Sequence, residues 1–145
     1  MAYATLDDLL QVEPTIQDYG VLDWDTEILR SENEINRVLK VRWYQAYQKA
    51  HPSIINQDMD VTRLDSDQFT QATVYHSLAY HICPKLTQHS GGEPDKFQVM
   101  MQYYQGRFEH EMDLILREGV RYDINEDDVF SSTESRSVSP LRLVR

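Results

Sequence analysis

The sequence is poor in the residues that build covalent links and phosphate-binding loops. Cys83 is the only cysteine, so no disulfide can form within one chain, and this fits a reducing compartment. The pair Gly91-Gly92 lacks the Lys-Ser/Thr that follows in a phosphate-binding loop. No serine stands in a recognisable nucleophile turn. We therefore expect a protein that is not an enzyme, with no catalytic residue and no cofactor.

Long apolar runs and excess positive charge are also missing. No run approaches the roughly 18 apolar residues that a membrane span needs, and the N-terminus has no basic-then-apolar signal pattern. Acidic side chains number 24 against 14 basic ones, which gives a net charge of −10. Such a body is repelled by phosphate backbones, so we expect no DNA binding through a basic patch. We expect a soluble protein made in a cytoplasm, with no membrane partner and a surface that DNA can slide past.

The five histidines do not form a metal-binding motif. No H-E-x-x-H is present, and Cys83 has no second cysteine to help it. His76 and His81 are five residues apart, which on a regular α-helix places them about 140° apart and not on one metal-facing side. We therefore expect no metal site here. We expect His76 to be a core histidine that donates to a backbone carbonyl.

Residues 95–116 carry the strongest helical pattern. Apolar side chains recur at steps of four, three, four, four and three residues, which is the spacing of one buried helix face. Gly119 stands where a left-handed cap residue ends a helix, and Arg117 complements the negative end of the helix dipole. The predicted buried positions are Phe97, Met101, Tyr104, Phe108, Met112 and Ile115.

A short N-terminal helix is predicted near the start of the chain. Thr5 and Asp8 have the spacing of a capping box, and Leu9 belongs to the apolar face that follows. Pro14 stops this helix, because the residue before a proline is pushed out of helical geometry.

The first long helix is predicted to begin near Asp23 or Asp25 and to end at residues 51–52. The two aspartates are N-cap residues by type, and Glu27 suits the first turn. One side of this helix is expected to be buried over about seven turns, at 3.6 residues per turn. Its predicted buried positions are Ile28, Ile35, Leu39, Trp43, Ala46 and Ala50.

A central helix is predicted to begin at Asp65 or Ser66, and Pro84 with the pair Gly91-Gly92 is predicted to close it and to supply the hinge before the next long helix. Its apolar side chains leave little polar face, which is expected of a helix at the centre of a bundle. The apolar positions are Phe69, Ala72, Tyr75, Leu78, Ala79 and Ile82.

These elements predict an all-α fold, a small bundle of three main helices plus a short N-terminal helix and an extended C-terminal arm. Residues 1–119 form the helical bundle domain, and residues 120–145 form an acidic turn and the arm. Residues 53–65 read as a loop or as a short β element.

The arm ends in a mixture of apolar and basic side chains, after five serines in residues 131–139. We interpret Leu141, Leu143 and Val144 as apolar anchors for a partner. Arg142 and Arg145 would pair with acidic groups on that partner. A disordered arm that orders on its partner spends part of its interaction energy on losing conformational freedom.

An acidic segment before the serines has the spacing of a calcium loop. Oxygen ligands fall at positions 1, 3, 5, 9 and 12 of an EF-hand, where alternate side chains converge on one hard cation. Position 6, however, is Asp128 where the sharp turn needs Gly, and the entering helix ends four residues too early. We prefer an acidic turn and keep calcium binding as an alternative. The residues of this weak metal candidate are Asp123, Asn125, Asp127, Ser131 and Glu134.

The nine tyrosines indicate protein contacts more than nucleic-acid stacking, because Lys and Arg are not interleaved among the aromatic residues. Tyr103 and Tyr104 lie on adjacent helix faces and cannot both point into one small core. We therefore interpret Tyr103, Tyr104 and Arg107 as candidates for subunit contacts.

Four stretches resemble the head–tail connector, or adaptor, proteins of tailed bacteriophages. They are residues 5–10, residues 72–86 with the ending Pro84-Lys85-Leu86, residues 103–123, and residues 140–145. The middle stretch is similar to the family's middle helix, and residues 103–123 are similar to its last helix.

The resemblance implies a structural virion protein that assembles as a ring, expected to be a dodecamer, beneath the portal of the filled capsid. Its partners would be the portal protein, the stopper or tail-completion protein and further copies of itself, with genomic DNA only as passing cargo. It would be found in the host cytoplasm during assembly and then at the head–tail interface of the virion. Two alternatives stay open: a calcium-dependent binding module, and an acidic cytoplasmic regulator that occupies the site of a DNA-binding protein.

Overall fold

The computed structural model describes residues 2–19, 23–86 and 96–123, and over these ranges the fold is an all-α bundle, as predicted. Within them, no helix combines the length and the apolar character needed to cross a membrane. The predicted arm beyond residue 123 lies outside the described residues. The α-helices are α1 (Leu6–Val12), α2 (Asp25–Leu39), α3 (Gln45–Ala50), α4 (Thr70–Ser77), α5 (Cys83–Leu86) and α6 (Lys96–Glu118).

Two π-helical segments connect these pieces into longer helices. Segment π1 (Lys40–Tyr44) joins α2 to α3, and segment π2 (Leu78–Ile82) joins α4 to α5. The first long helix is therefore α2–π1–α3, and the central helix is α4–π2–α5. A π turn closes hydrogen bonds to the fifth residue back, so it places one more residue in the turn than an α-helix does.

The short helix α1 begins with the predicted capping box. The Thr5 hydroxyl accepts from the Asp8 amide at 3.4 Å, and the Asp8 carboxylate accepts from the Thr5 amide at 2.9 Å. Leu9 is fully buried, and the helix ends at Val12, two residues before Pro14. Local sequence rules were sufficient here because every contact that fixes the helix start lies within four residues.

The buried face of the first long helix follows the prediction only as far as Trp43. Beyond it, Ala46 is half-buried and Ala50 is exposed, whereas Tyr44 and Tyr47 are buried. The reason is π1. Its extra residue shifts the buried face of the helix by one residue at every position after Trp43. Tyr47 therefore takes the place in the core that regular spacing assigns to Ala46.

The central helix lies between the first long helix and α6, and it is buried nearly all round, as predicted. Asp65 caps a short 3-10 helix, Ser66–Phe69, that leads directly into α4, and its carboxylate accepts from the Asp67 amide at 3.2 Å. The helix runs two residues past Pro84 and ends at Leu86, whereas Gly91 and Gly92, also predicted to close it, lie outside the described residues. Pro84 lies in the first turn of α5, directly after the π turn. In that π turn the Cys83 amide donates to the Leu78 carbonyl. Pro84 has no amide hydrogen to donate, which is tolerated at the start of a helix.

Helix α6 confirms the strongest part of the sequence pattern. Gly119 has a φ of 104°, and its amide donates to the Ile115 carbonyl at 3.0 Å, which is the predicted left-handed cap. Phe97 and Met101, at the start of the pattern, are half-buried. The fully packed positions are Tyr104, Phe108, Met112 and Ile115.

The chain after Gly119 turns back into the body. Val120 and Tyr122, which the sequence predicted as the start of the arm, are core residues. Tyr122 forms an isolated antiparallel bridge with Leu64, and this is all of the β element considered for residues 53–65. The Gln68 side chain fixes the turn, donating to the Gly119 carbonyl at 2.9 Å and accepting from the Arg121 amide at 3.0 Å.

Candidate functional site

A polar cluster of three side chains lies inside the bundle and joins the first long helix to the central helix. His76 Nε2 lies 3.1 Å from one carboxylate oxygen of Glu34, and His81 Nε2 lies 3.2 Å from the other. The ligand-type atoms of the three residues all lie within 4.8 Å of one another. The sequence-based expectation that the two histidines cannot share one side is therefore wrong.

Segment π2 is the reason that the two histidines meet. It contains His81 and begins two residues after His76, so residues five apart stand nearly above one another instead of about 140° apart. The two imidazole centroids are 5.6 Å apart. The available sequence signal was Pro84, a proline inside an apolar helical pattern, because a widened turn is one way in which a helix tolerates the missing amide.

The His76 ring is held in place by contacts from three helices. Its Nδ1 lies 2.9 Å from the hydroxyl of Ser31, a fully buried residue one turn before Glu34 on α2. Phe108 of α6 packs edge-on against the imidazole, with centroids 4.8 Å apart, and Tyr80 covers it at 4.6 Å. The expected partner, a backbone carbonyl, is replaced by Ser31 and Glu34.

Burial sets the charge of the cluster. Loss of solvent lowers the pKa of His76 to about 4, even though the Glu34 carboxylate acts to raise it. Burial likewise lowers the pKa of His81 against the same carboxylate. Both imidazoles are therefore neutral at neutral pH, the form in which a ring nitrogen can offer a lone pair to a metal.

The cluster is open to solvent on the side of Glu34. The Glu34 side chain is 41% exposed, whereas both histidine side chains are buried. A surface groove passes over Glu34 and His76, and it gives an ion or a water molecule a route to the carboxylate. Its other lining residues are Arg37, Val38, Val41 and Arg42.

The predicted subunit-contact residues divide between surface and core. Tyr103 is 60% exposed, and Arg107 is exposed beside Tyr75, with a guanidinium nitrogen 3.3 Å from the Tyr75 hydroxyl. Tyr104 is instead buried, stacks on Tyr75 and donates its hydroxyl to Glu13 at 2.5 Å. Tyr104 is therefore a core residue and is not available at the surface for the subunit contact predicted from the sequence.

Tyr103 belongs to an exposed row that runs along α6 opposite its buried face. We call this row the outer stripe, and its members are spaced by four, three, four and four residues. Val99 is 60% exposed and Leu114 is 47% exposed. The middle residue is Gly106, and a Cβ atom added there would meet no atom within 4 Å. The outer stripe consists of Val99, Tyr103, Gly106, His110 and Leu114.

Most of the other predicted site residues lie outside the described residues. Asp123 is buried, and its amide donates to the Arg63 carbonyl at 2.8 Å. The remaining residues of the calcium candidate are Asn125, Asp127, Ser131 and Glu134, and those of the arm are Leu141, Arg142, Leu143, Val144 and Arg145. None of these nine residues is within the described ranges, so both hypotheses stay predictions.

Comparison with protein-family models, with curated proteins and with solved structures finds no match to this chain.

Proposed function

We propose that this protein is a structural component of tailed bacteriophages, a head–tail adaptor that forms a ring between the portal and the stopper or tail. The ring would extend the DNA channel. The family that the sequence resembles implies a ring of twelve copies. The proposal rests on that resemblance together with three features of the chain: its exposed apolar contacts, its charge and its C-terminal end.

The observation that carries the proposal is the outer stripe of α6. Glycine in the middle of a helix is destabilising by roughly 0.5–1 kcal/mol relative to alanine. No described part of the chain packs closely against Gly106 to offset this cost, because a Cβ atom added there would have no neighbour within 4 Å. A glycine between Tyr103 and Leu114 suits the close approach of a second backbone, and the large side chains on either side supply apolar contact area. A second copy of this chain is the partner that a ring requires.

The charge of the chain suits a passage for DNA. With a net charge of −10, the protein repels phosphate groups more than it attracts them. A channel wall must let the genome pass without binding it, and an acidic ring meets that requirement. Acidity is also common among soluble proteins, so it supports the proposal without carrying it.

The arm would supply the attachment to the portal. Its anchors are the residues named from the sequence, Leu141, Leu143 and Val144, with Arg142 and Arg145 pairing with acidic groups. Twelve such arms acting together would hold firmly even if each one binds weakly, because every further arm binds at a high effective concentration.

Substitution at Gly106 tests the ring contact. Gly106→Ala should raise the stability of the free subunit by about 0.5–1 kcal/mol through helix propensity, and yet weaken assembly on portals. Gly106→Gln, a larger helix former, should block assembly. Gln105→Ala, on the same helix but off the outer stripe, is the matched control. Assembly is measured by electron microscopy of the protein mixed with purified portal rings. Normal rings formed by Gly106→Gln would refute the contact.

Removal of the arm tests the attachment. Deletion of residues 136–145 should leave the helical circular dichroism signal and the urea midpoint unchanged, and it should abolish binding to portals. Normal attachment of the shortened protein to heads would count decisively against this role. If the full-length protein does not bind portals but binds a soluble basic protein, the result would favour the acidic-regulator alternative instead.

A further inference from the structure

We propose that Glu34, His76 and His81 form a binding site for a divalent transition metal of the zinc class. Two helices that are far apart in the sequence supply the ligands, one carboxylate from α2 and two imidazoles from the central helix. The proposal is independent of ring formation and of portal binding.

The donor set fits this class of metal. Two imidazoles and one carboxylate are a ligand combination that Zn²⁺ takes, with bonds of about 2.0–2.2 Å and one position left for water. Tetrahedral bonds of that length separate the ligand atoms by about 3.4 Å. His76 Nε2 lies 3.1 Å from one Glu34 oxygen and His81 Nε2 lies 3.2 Å from the other, and one ligand atom from each of the three residues falls within 4.8 Å of the other two.

An unsatisfied atom points to the same place. Among the described residues, buried His81 Nε2 finds no hydrogen-bond partner of good geometry, although it faces the Glu34 carboxylate at 3.2 Å. Buried polar atoms without a partner are rare, because such an atom has given up its hydrogen bonds to water. A metal ion between the imidazole and the carboxylate would use the lone pair of this nitrogen.

Ser31 supplies the support that a metal-bound histidine needs. Ligand histidines almost always donate the second ring N–H to a neighbouring acceptor, which fixes the ring and the tautomer. The Ser31 hydroxyl oxygen lies 2.9 Å from His76 Nδ1 and is able to accept a hydrogen bond from that N–H. Phe108 and Tyr80 confine the same ring by packing. The imidazole is therefore oriented before any ion arrives.

The surroundings select the type of ion. Nitrogen donors favour Zn²⁺ and related transition metals over Ca²⁺ and Mg²⁺, which prefer oxygen. Arg37 and Arg42 line the groove above the cluster. The positive charge of Arg30 is close enough to His81 to lower the pKa of its imidazole. These cations oppose a bound metal, so we expect weaker binding than at a structural site with four protein ligands.

The test uses the full chain without an affinity tag, after treatment with a chelator. Zn²⁺ binding is measured by calorimetry, and Co²⁺, which reports its coordination through visible absorption, serves as the spectroscopic probe. We expect one site per chain, an absorption spectrum of four-coordinate Co²⁺ that Zn²⁺ abolishes, and a melting temperature that rises with Zn²⁺ and falls back with EDTA.

The variants separate this site from adventitious binding. Glu34→Gln and His81→Gln should each abolish the Co²⁺ spectrum, and Ser31→Ala should weaken binding by about 10- to 100-fold. His110→Ala, which removes an exposed histidine of α6 away from the cluster, should leave the Co²⁺ spectrum and the Zn²⁺ affinity unchanged. Circular dichroism in EDTA verifies that each variant is folded, and Glu34→Gln alters a half-exposed side chain, so it decides the matter if His81→Gln unfolds. No saturable Zn²⁺ binding, or equal binding by Glu34→Gln and the unmodified chain, would overturn the proposal.

Discussion

Replacement of Tyr122 tests whether the folded body extends beyond the cap of α6. This side chain is fully buried, and its ring packs edge-on against Trp43 and Tyr47, with centroids 5.7 Å away in both cases. Its hydroxyl oxygen accepts from the Asp60 amide at 3.0 Å. The residue therefore connects the end of the described chain to the first long helix and to the loop after it.

The magnitude follows from what each substitution removes. Tyr122→Ala deletes a whole ring from a rigid aromatic cluster, which should cost about 3–5 kcal/mol of unfolding free energy. Tyr122→Phe keeps the ring and removes the hydroxyl, which accepts from the Asp60 amide and also interacts with the Tyr44 hydroxyl, at a cost of about 1–2 kcal/mol. Tyr103→Ala is the matched control, because the same side chain is lost from an exposed position, and it should stay within about 0.5 kcal/mol.

The assay is urea unfolding followed by far-UV circular dichroism, with a common slope for all variants. A domain of this size has a stability of about 5–15 kcal/mol, so the alanine variant should lose a large fraction of it. If Tyr122→Ala unfolds at the same urea concentration as Tyr103→Ala, residues 120–123 do not stabilise the body, and the reasoning fails.

Three further substitutions test the ends of the helices by the same measurement. Thr5→Ala removes the capping box of α1 and should cost about 0.5–2 kcal/mol; an unchanged midpoint would contradict a role for the box in stability. Gly119→Ala places a Cβ atom at a φ of 104° and should cost about 1–2 kcal/mol, whereas a stabilised variant would mean that this backbone is not strained. Gln68→Ala removes the two hydrogen bonds to the turn after α6 and should cost about 1–3 kcal/mol, since both backbone groups lose their partner.

The sequence predicted the structure correctly where an element depends on residues that are close together in the chain. The capping box at Thr5 and the cap at Gly119 involve contacts within about one helical turn. The buried face of α6 follows a period of 3.6 residues without interruption, so its spacing could be read directly. In each case the residues that reveal the element in the sequence are the same residues that form its hydrogen bonds and contacts in the structure.

Prediction failed where the helical period changes. A regular period assigns Ala46 and Ala50 to the core and separates His76 from His81, but π1 and π2 each add one residue to a turn. Side-chain spacing alone does not reveal such a turn, because packing against neighbouring helices decides whether the wider turn is tolerated. The Glu34–His76–His81 cluster was missed for this reason, and Tyr122 was missed because its partners are distant in the sequence.

The way in which the described chain ends has a mechanical consequence. The Leu64–Tyr122 bridge and the bond from the Asp123 amide to the Arg63 carbonyl anchor the last described residues to the body. Tension applied from beyond residue 123 would be borne first by this anchor and by the aromatic ring behind it. Helix α6 lies behind that anchor, and its C-terminal turn would not peel away until the anchor had yielded.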